Sequence, residues 1–152
     1  MIILALKKGD ILGHELMGII DRVGPSVKSL RPGQRVVVSF QIVCGKFSYC
    51  QQKLSSMCDR TNTSSLQEYM YSTHDTGFFG YSHFTGGFAG GQAEYIRVPF
   101  GEVNCLAVPD EVTDEQVLYL SDMLPTSYHA VADTCVKKGD VVGIWVRLSF
   151  LF

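Results

Sequence analysis

The run Gly13-His14-Glu15-Leu16-Met17-Gly18, continued by Gly24 and Val27, constrains this chain more than any other stretch of it. An imidazole able to ligate a metal is followed at once by a carboxylate, and the glycines let the backbone turn and pack closely around the pair. The surrounding pattern is that of a β scaffold. Ile19 to Val23 and Arg35 to Phe40 are short runs rich in β-branched residues, and Leu30-Arg31-Pro32-Gly33-Gln34 between them suits a turn. Gln92 to Pro99 alternates like a strand near a sheet edge. Helical patterning comes late. Thr113 or Asp114 can cap a short helix through Leu120 with Glu115 in its first turn, and Pro125 can open a second helix reaching about Thr134. Val141 to Val146, after the Lys138-Gly139-Asp140 turn, reads as a buried strand. The expected fold is mainly β with a few helices, and no internal repeat is evident.

Size decides whether such a pair can sit against a packed interior. A chain of 152 residues, 46% hydrophobic and 18% charged, supports one domain with a real core and is too short for two large ones. A net charge of -2 gives no electrostatic reason to expect a nucleic-acid or anionic-membrane partner. The apolar start, Met1 to Leu6, precedes Lys7 and Lys8, whereas a secretory leader carries its charges first. No apolar stretch is long enough to span a bilayer. Five cysteines in such a chain read as thiols or metal ligands in a reducing cytosol. The glycine-rich segment Gly77 to Gly91 lacks a Gly-Lys-Ser/Thr ending, so a mobile loop pinned by aromatics is the favoured reading over a phosphate cradle.

The first run matches, position for position, the zinc signature of the medium-chain alcohol dehydrogenases. Ser121-Asp122-Met123-Leu124-Pro125-Thr126-Ser127-Tyr128-His129-Ala130 resembles the glutathione-independent formaldehyde dehydrogenase-like branch, in which an aspartate replaces the usual cysteine ligand. Cys44, Cys50 and Cys58 resemble the structural zinc lobe of the same family, whose spacing is C-x2-C-x2-C-x7-C. The resemblance runs from Lys8 to about Trp145 and implies a GroES-like catalytic domain. It implies that His14 and Asp122 ligate a catalytic zinc, that Glu15 sits beside it, and that Thr126 lines a nicotinamide pocket. The implied chemistry is hydride transfer between a small alcohol or aldehyde and NAD(P), with zinc polarising the substrate oxygen. An oligomer of identical subunits is open for the intact form.

The chain departs from the family pattern at three places. Phe47 stands where the lobe's second cysteine belongs, leaving three thiolates and a fourth vertex open to water or Asp59. Two readings stand: a weakened, largely metal-free zinc lobe, or a loop with three spare thiols. The family's first zinc ligand is a cysteine well upstream of its GHE run, and only thirteen residues precede His14 here. Where relatives continue into Gly-x-Gly-x-x-Gly, this chain reads Val146 to Phe152. The expected organisation is a partial zinc-binding catalytic domain over 1–134, with the lobe at 44–62, and a cut-short start of a nucleotide-binding domain over 135–152. The chain alone is expected to be inactive. The alternatives are a zinc-binding or subunit-association module, or a non-functional truncated product. Cys105 and Cys135 are expected to be packing thiols, while His74, His83 and His129 show no partner pattern.

Overall fold

Three consecutive valines decide which strand is central. In the computed structural model, which describes residues 5–145, strand β2 (Arg35–Val38) has Val36, Val37 and Val38 all buried. Alternation sends Val36 and Val38 to one face with Leu16, Ile42 and Phe79, and Val37 to the other with Val108 and Val117. A strand buried on both faces needs a neighbour on each edge to satisfy its backbone. β1 (Leu16–Ile19) pairs antiparallel on one side, with Leu16 opposite Val38. β5 (Cys105–Ala107) pairs antiparallel on the other. Each fully buried valine contributes about 1.5–3 kcal/mol.

The Leu30–Gln34 turn forms as its residues suggest. Gly33 adopts φ +86°, its N–H donates to Ile20 O at 2.8 Å, and Ile20 N–H donates to Gln34 O at 2.9 Å. The strand before it lies earlier than expected, at Leu16–Ile19 rather than Ile19 to Val23. Leu16 is the residue with a buried face to fill, and the charged Asp21-Arg22 pair that follows points to solvent.

A second sheet of two short strands, β3 (Gln41–Ile42) and β4 (Gly77–Phe78), carries the thiol lobe between them. The segment between these strands holds helix α1 (Ser48–Gln51) and a 3-10 turn at Ser55–Met57 within the lobe, followed by helix α2 (Ser65–Tyr71). The segment expected to be a mobile loop, Gly77 to Gly91, is instead packed into the fold. Phe79 is wholly buried in the core. A Cβ at Gly80 (φ +54°) would lie 2.3 Å from Gly13 O, and one at Gly90 would lie 2.3 Å from Leu12 O. These glycines exist for backbone-to-backbone contact with the stretch that leads into His14.

Gln92 to Pro99 is not a strand. Its ladder ends at Gln92, whose N–H donates to Leu12 O at 3.0 Å, and Ile96 and Val98 then pack against the core without strand pairing. Helix α3 (Gly101–Asn104) leads directly into β5. Helix α4 (Asp114–Leu118) starts at the Thr113 cap, whose N–H is taken by the Gln116 side chain at 3.1 Å, and buries Val117. Helix α5 (Met123–Asp133) begins two residues before Pro125 and buries no residue. Val141 to Val146 is a further correction: over the described part the backbone is not a strand, Val141 is fully exposed and Trp145 nearly so. No described segment pairs with it, and an apolar run without a paired neighbour forms no ladder. Readings on Met1 to Leu4 and on Val146 to Phe152 lie outside the described residues. No described helix is long and apolar enough to cross a membrane.

Candidate metal centres

The first centre is assembled across the chain. His14 Nε2 lies 3.2 Å from Asp122 Oδ2, although 108 positions separate them in sequence. Two ligand atoms on a tetrahedral zinc at about 2.0–2.1 Å stand roughly 3.3 Å apart, so this pair has the spacing of two vertices. The imidazole is half-buried between aromatic rings, edge-on to Phe40 at 5.9 Å and to Tyr81 at 6.0 Å. Asp122 occupies the cap position of α5 without capping it. Its Oδ2 faces His14, while its Oδ1 accepts a bond from Thr126 Oγ1, one turn into the helix, at 2.6 Å. Glu15 takes over the cap, accepting from Met123 N–H at 3.0 Å. A carboxylate at a helix start is favoured by the local dipole and fills an otherwise orphan donor.

Ser121, which the sequence did not single out, locks this arrangement. Its buried hydroxyl donates to Val38 O at 2.6 Å and accepts from Leu16 N–H at 3.4 Å, bridging β1 and β2 immediately beside Asp122. Nothing in an isolated Ser-Asp dipeptide marks it, because its partners lie 83 and 105 positions away. Thr126, expected to line a cofactor pocket, has its hydroxyl committed to Asp122.

The second centre is local. Cys44, Cys50 and Cys58 place their Sγ atoms within 4.8 Å of one another, the single group of three or more such ligands among the described residues. Cys44 and Cys58 are buried at 2% and 0% exposure, and Cys44 Sγ lies 3.7 Å from Cys50 Sγ. Two thiolates on a tetrahedral zinc at about 2.3 Å stand roughly 3.8 Å apart, so the donors fit that ion. Burial pushes the Cys44 thiol up, but the Lys46 and Phe47 amides and the other two thiols outweigh it, and its pKa is lowered. Cys50 goes the other way, raised by burial and by the neighbouring thiols. Phe47 sits half-exposed at the start of α1, its ring under the Arg60 guanidinium at 5.2 Å. Arg60 also lies over Phe100 at 5.1 Å. Asp59, the suggested substitute ligand, is exposed and does not join the cluster.

The remaining thiols and imidazoles separate by environment. Cys105 packs against the core and burial lifts its pKa to about 11. Cys135 is exposed, so it is not a packing thiol. Three histidines do have partners: His74 with Glu68 at 3.8 Å, His83 with Asp10 at 3.2 Å, and His129 with Asp133 at 3.1 Å. Only the last is a one-turn helical spacing that the sequence could have revealed.

The alcohol dehydrogenase GroES-like domain family matches residues 3–110, and the chain belongs to that family. A zinc-type alcohol dehydrogenase-like protein of Schizosaccharomyces pombe is 46% identical over 140 residues, covering 92% of this chain and 33% of that protein. A glutathione-independent formaldehyde dehydrogenase of Pseudomonas aeruginosa is 33% identical over 141 residues, covering 90% of this chain and 33% of its own length. Among solved structures, an alcohol dehydrogenase of Thermus sp. ATN1 superposes with a TM-score of 0.75 at 32% identity, covering 89% of this chain and 35% of that one. The chain thus spans about a third of the length of the curated relatives it matches.

Proposed function

We propose that this chain is the zinc-handling catalytic part of an alcohol or formaldehyde dehydrogenase. The approach of His14 Nε2 to Asp122 Oδ2 at 3.2 Å supports this reading most directly. In it His14 and Asp122 ligate the catalytic ion, Glu15 holds the Asp122-bearing turn against the His14 loop, and Thr126 orients the Asp122 carboxylate beside a nicotinamide pocket. Zinc bound there would supply a Lewis acid for a small alcohol or aldehyde oxygen, and NAD(P) would carry the hydride. Cys44, Cys50 and Cys58 hold the second ion.

Residues 1–134 form the zinc-binding part and 135–152 belong to the start of a nucleotide-binding domain, in a cytoplasmic enzyme built from identical subunits. Within 1–152 the chemistry offers two strong ligands for the catalytic ion and no glycine-rich pyrophosphate loop, so the 152-residue chain has no dehydrogenase activity by itself. A second reading, a zinc-holding module that associates with another polypeptide, is favoured by Leu124, Tyr128 and Val131, exposed along one side of α5.

Metal content of the purified chain tests the first reading. Asp122→Ala should remove the ion at His14 and leave the thiol-bound ion in place, whereas Cys58→Ser should do the reverse. Unchanged metal content and unchanged affinity at the first centre after Asp122→Ala would sink the assignment.

A further inference from the structure

By ligand count the thiol lobe is not a closed structural site. A structural zinc is enclosed by four protein ligands, whereas three protein ligands leave a position at which an outside molecule binds. Here three sulfurs converge, and the residue at the remaining position, Phe47, has no lone pair to offer. Its ring is engaged elsewhere, against Arg60.

The geometry also says where the free position faces. Cys44 and Cys58 are the buried members, and Cys50 is only partly covered. α1, which carries Cys50, has no buried residue, and Phe47 at its start is 47% exposed. The vertex on the Phe47–Cys50 side therefore opens to solvent. Arg60 is exposed and stands on the same side, between the rings of Phe47 and Phe100. A divalent ion with three thiolates carries a net negative charge, and a fourth anionic ligand adds to it. A guanidinium nearby offsets part of that addition.

We propose that the lobe is an open metal site whose fourth coordination position takes an external thiolate, such as that of a small cellular thiol. This rests on reading Cys44, Cys50 and Cys58 as a zinc site. The step is a ligand exchange: a bound water leaves, the incoming thiol gives its proton to the buffer, and its sulfur forms the fourth bond. No electron is transferred. A soft thiolate is preferred over water because the other three donors are sulfur and the ion is borderline-soft.

Cobalt(II), loaded into the full 152-residue chain in place of zinc, reports thiolate ligands through sulfur-to-metal charge-transfer absorption. Titration with 2-mercaptoethanol should raise that absorption by about a third, as three sulfurs become four. In Phe47→Cys, a substitution at a half-exposed position, the absorption should start at the higher level and not respond to added thiol. Asp122→Ala should leave both behaviours intact, since the first centre contains no sulfur. A charge-transfer band that ignores millimolar thiol in the unsubstituted chain overturns the open-site proposal alone. Absence of any such band overturns the zinc reading of the lobe as well, and with it the proposal.

Discussion

The two ligand clusters of this molecule are built in opposite ways. Cys44, Cys50 and Cys58 lie within one excursion of the chain, and a few local turns suffice to bring them together. His14 and Asp122 meet only because β1, β2 and the start of α5 are bonded into one unit through Ser121 and Glu15. The local cluster brings three sulfur donors together, with Phe47 where the family spacing sets a fourth. The assembled one depends on a hydroxyl and a cap that are not ligands at all. Ligand identity is thus a poor guide to what holds a site: the supporting bonds decide which change is tolerated.

That contrast can be broken at its supports. Asn104 roots the lobe: buried, it accepts from Val43 N–H at 3.0 Å and donates to Val43 O and Pro99 O, each at 2.9 Å. Asn104→Ala leaves several partly buried groups without partners, at a cost of about 2 kcal/mol. Thermal unfolding should show this loss, and metal binding at the thiols should weaken while the His14 centre keeps its ion. Equal damage to both centres would mean that they are not separately supported.

Ser121→Ala is the mirror experiment, with a cost of about 1 kcal/mol for the lost bonds to Val38 and Leu16. Here affinity at the His14–Asp122 centre should fall and the thiol centre should be unaffected. Metal titrations of the two variants side by side would expose any coupling.

The smallest effect is expected on the exposed side of α3, the helix that also carries Asn104. Glu102 accepts from the Ser29 hydroxyl and the Lys28 and Ser29 amides, which hold its carboxyl below the ordinary 4.5. A depressed folded-state pKa stabilises fully above the unfolded value and loses that contribution as pH falls through the folded one. Glu102→Gln should therefore lower the melting temperature slightly at neutral pH, and the gap to the unsubstituted chain should narrow as pH falls below the ordinary 4.5 and close once pH passes the lowered folded-state value. A gap that stays constant across this range would show that the charge does not matter.

Legibility followed the range of the interactions. The turn at Leu30–Gln34, a strand starting at Arg35 and a helix cap at Thr113 or Asp114 are signalled by neighbours a few residues apart, and each was readable, whereas the central place of that strand came from β1 and β5. Gln92 to Pro99 alternates like a strand, yet its hydrogen bonds stop at Gln92, so alternation reported burial of Ile96 and Val98 and not pairing. Gly77 to Gly91 looked like a loop because glycine suits loops. In the fold Gly80 and Gly90 serve close contact with Gly13 and Leu12, which no local pattern encodes. Ser121, Arg60 and the cap role of Glu15 were invisible for the same reason.

What the amino-acid order determined by itself was the donor chemistry: an imidazole, two carboxylates and three thiols at family spacings, with Phe47 interrupting one of them. Only the tertiary structure decided which donors meet and which face outward. His14 and Asp122 are brought to 3.2 Å by a sheet and a helix start that are remote in sequence. The ring of Phe47 is drawn to Arg60 by a cation–π contact with a residue beyond the last thiol. Donor type is a property of single residues, whereas convergence is a property of the packed backbone that carries them.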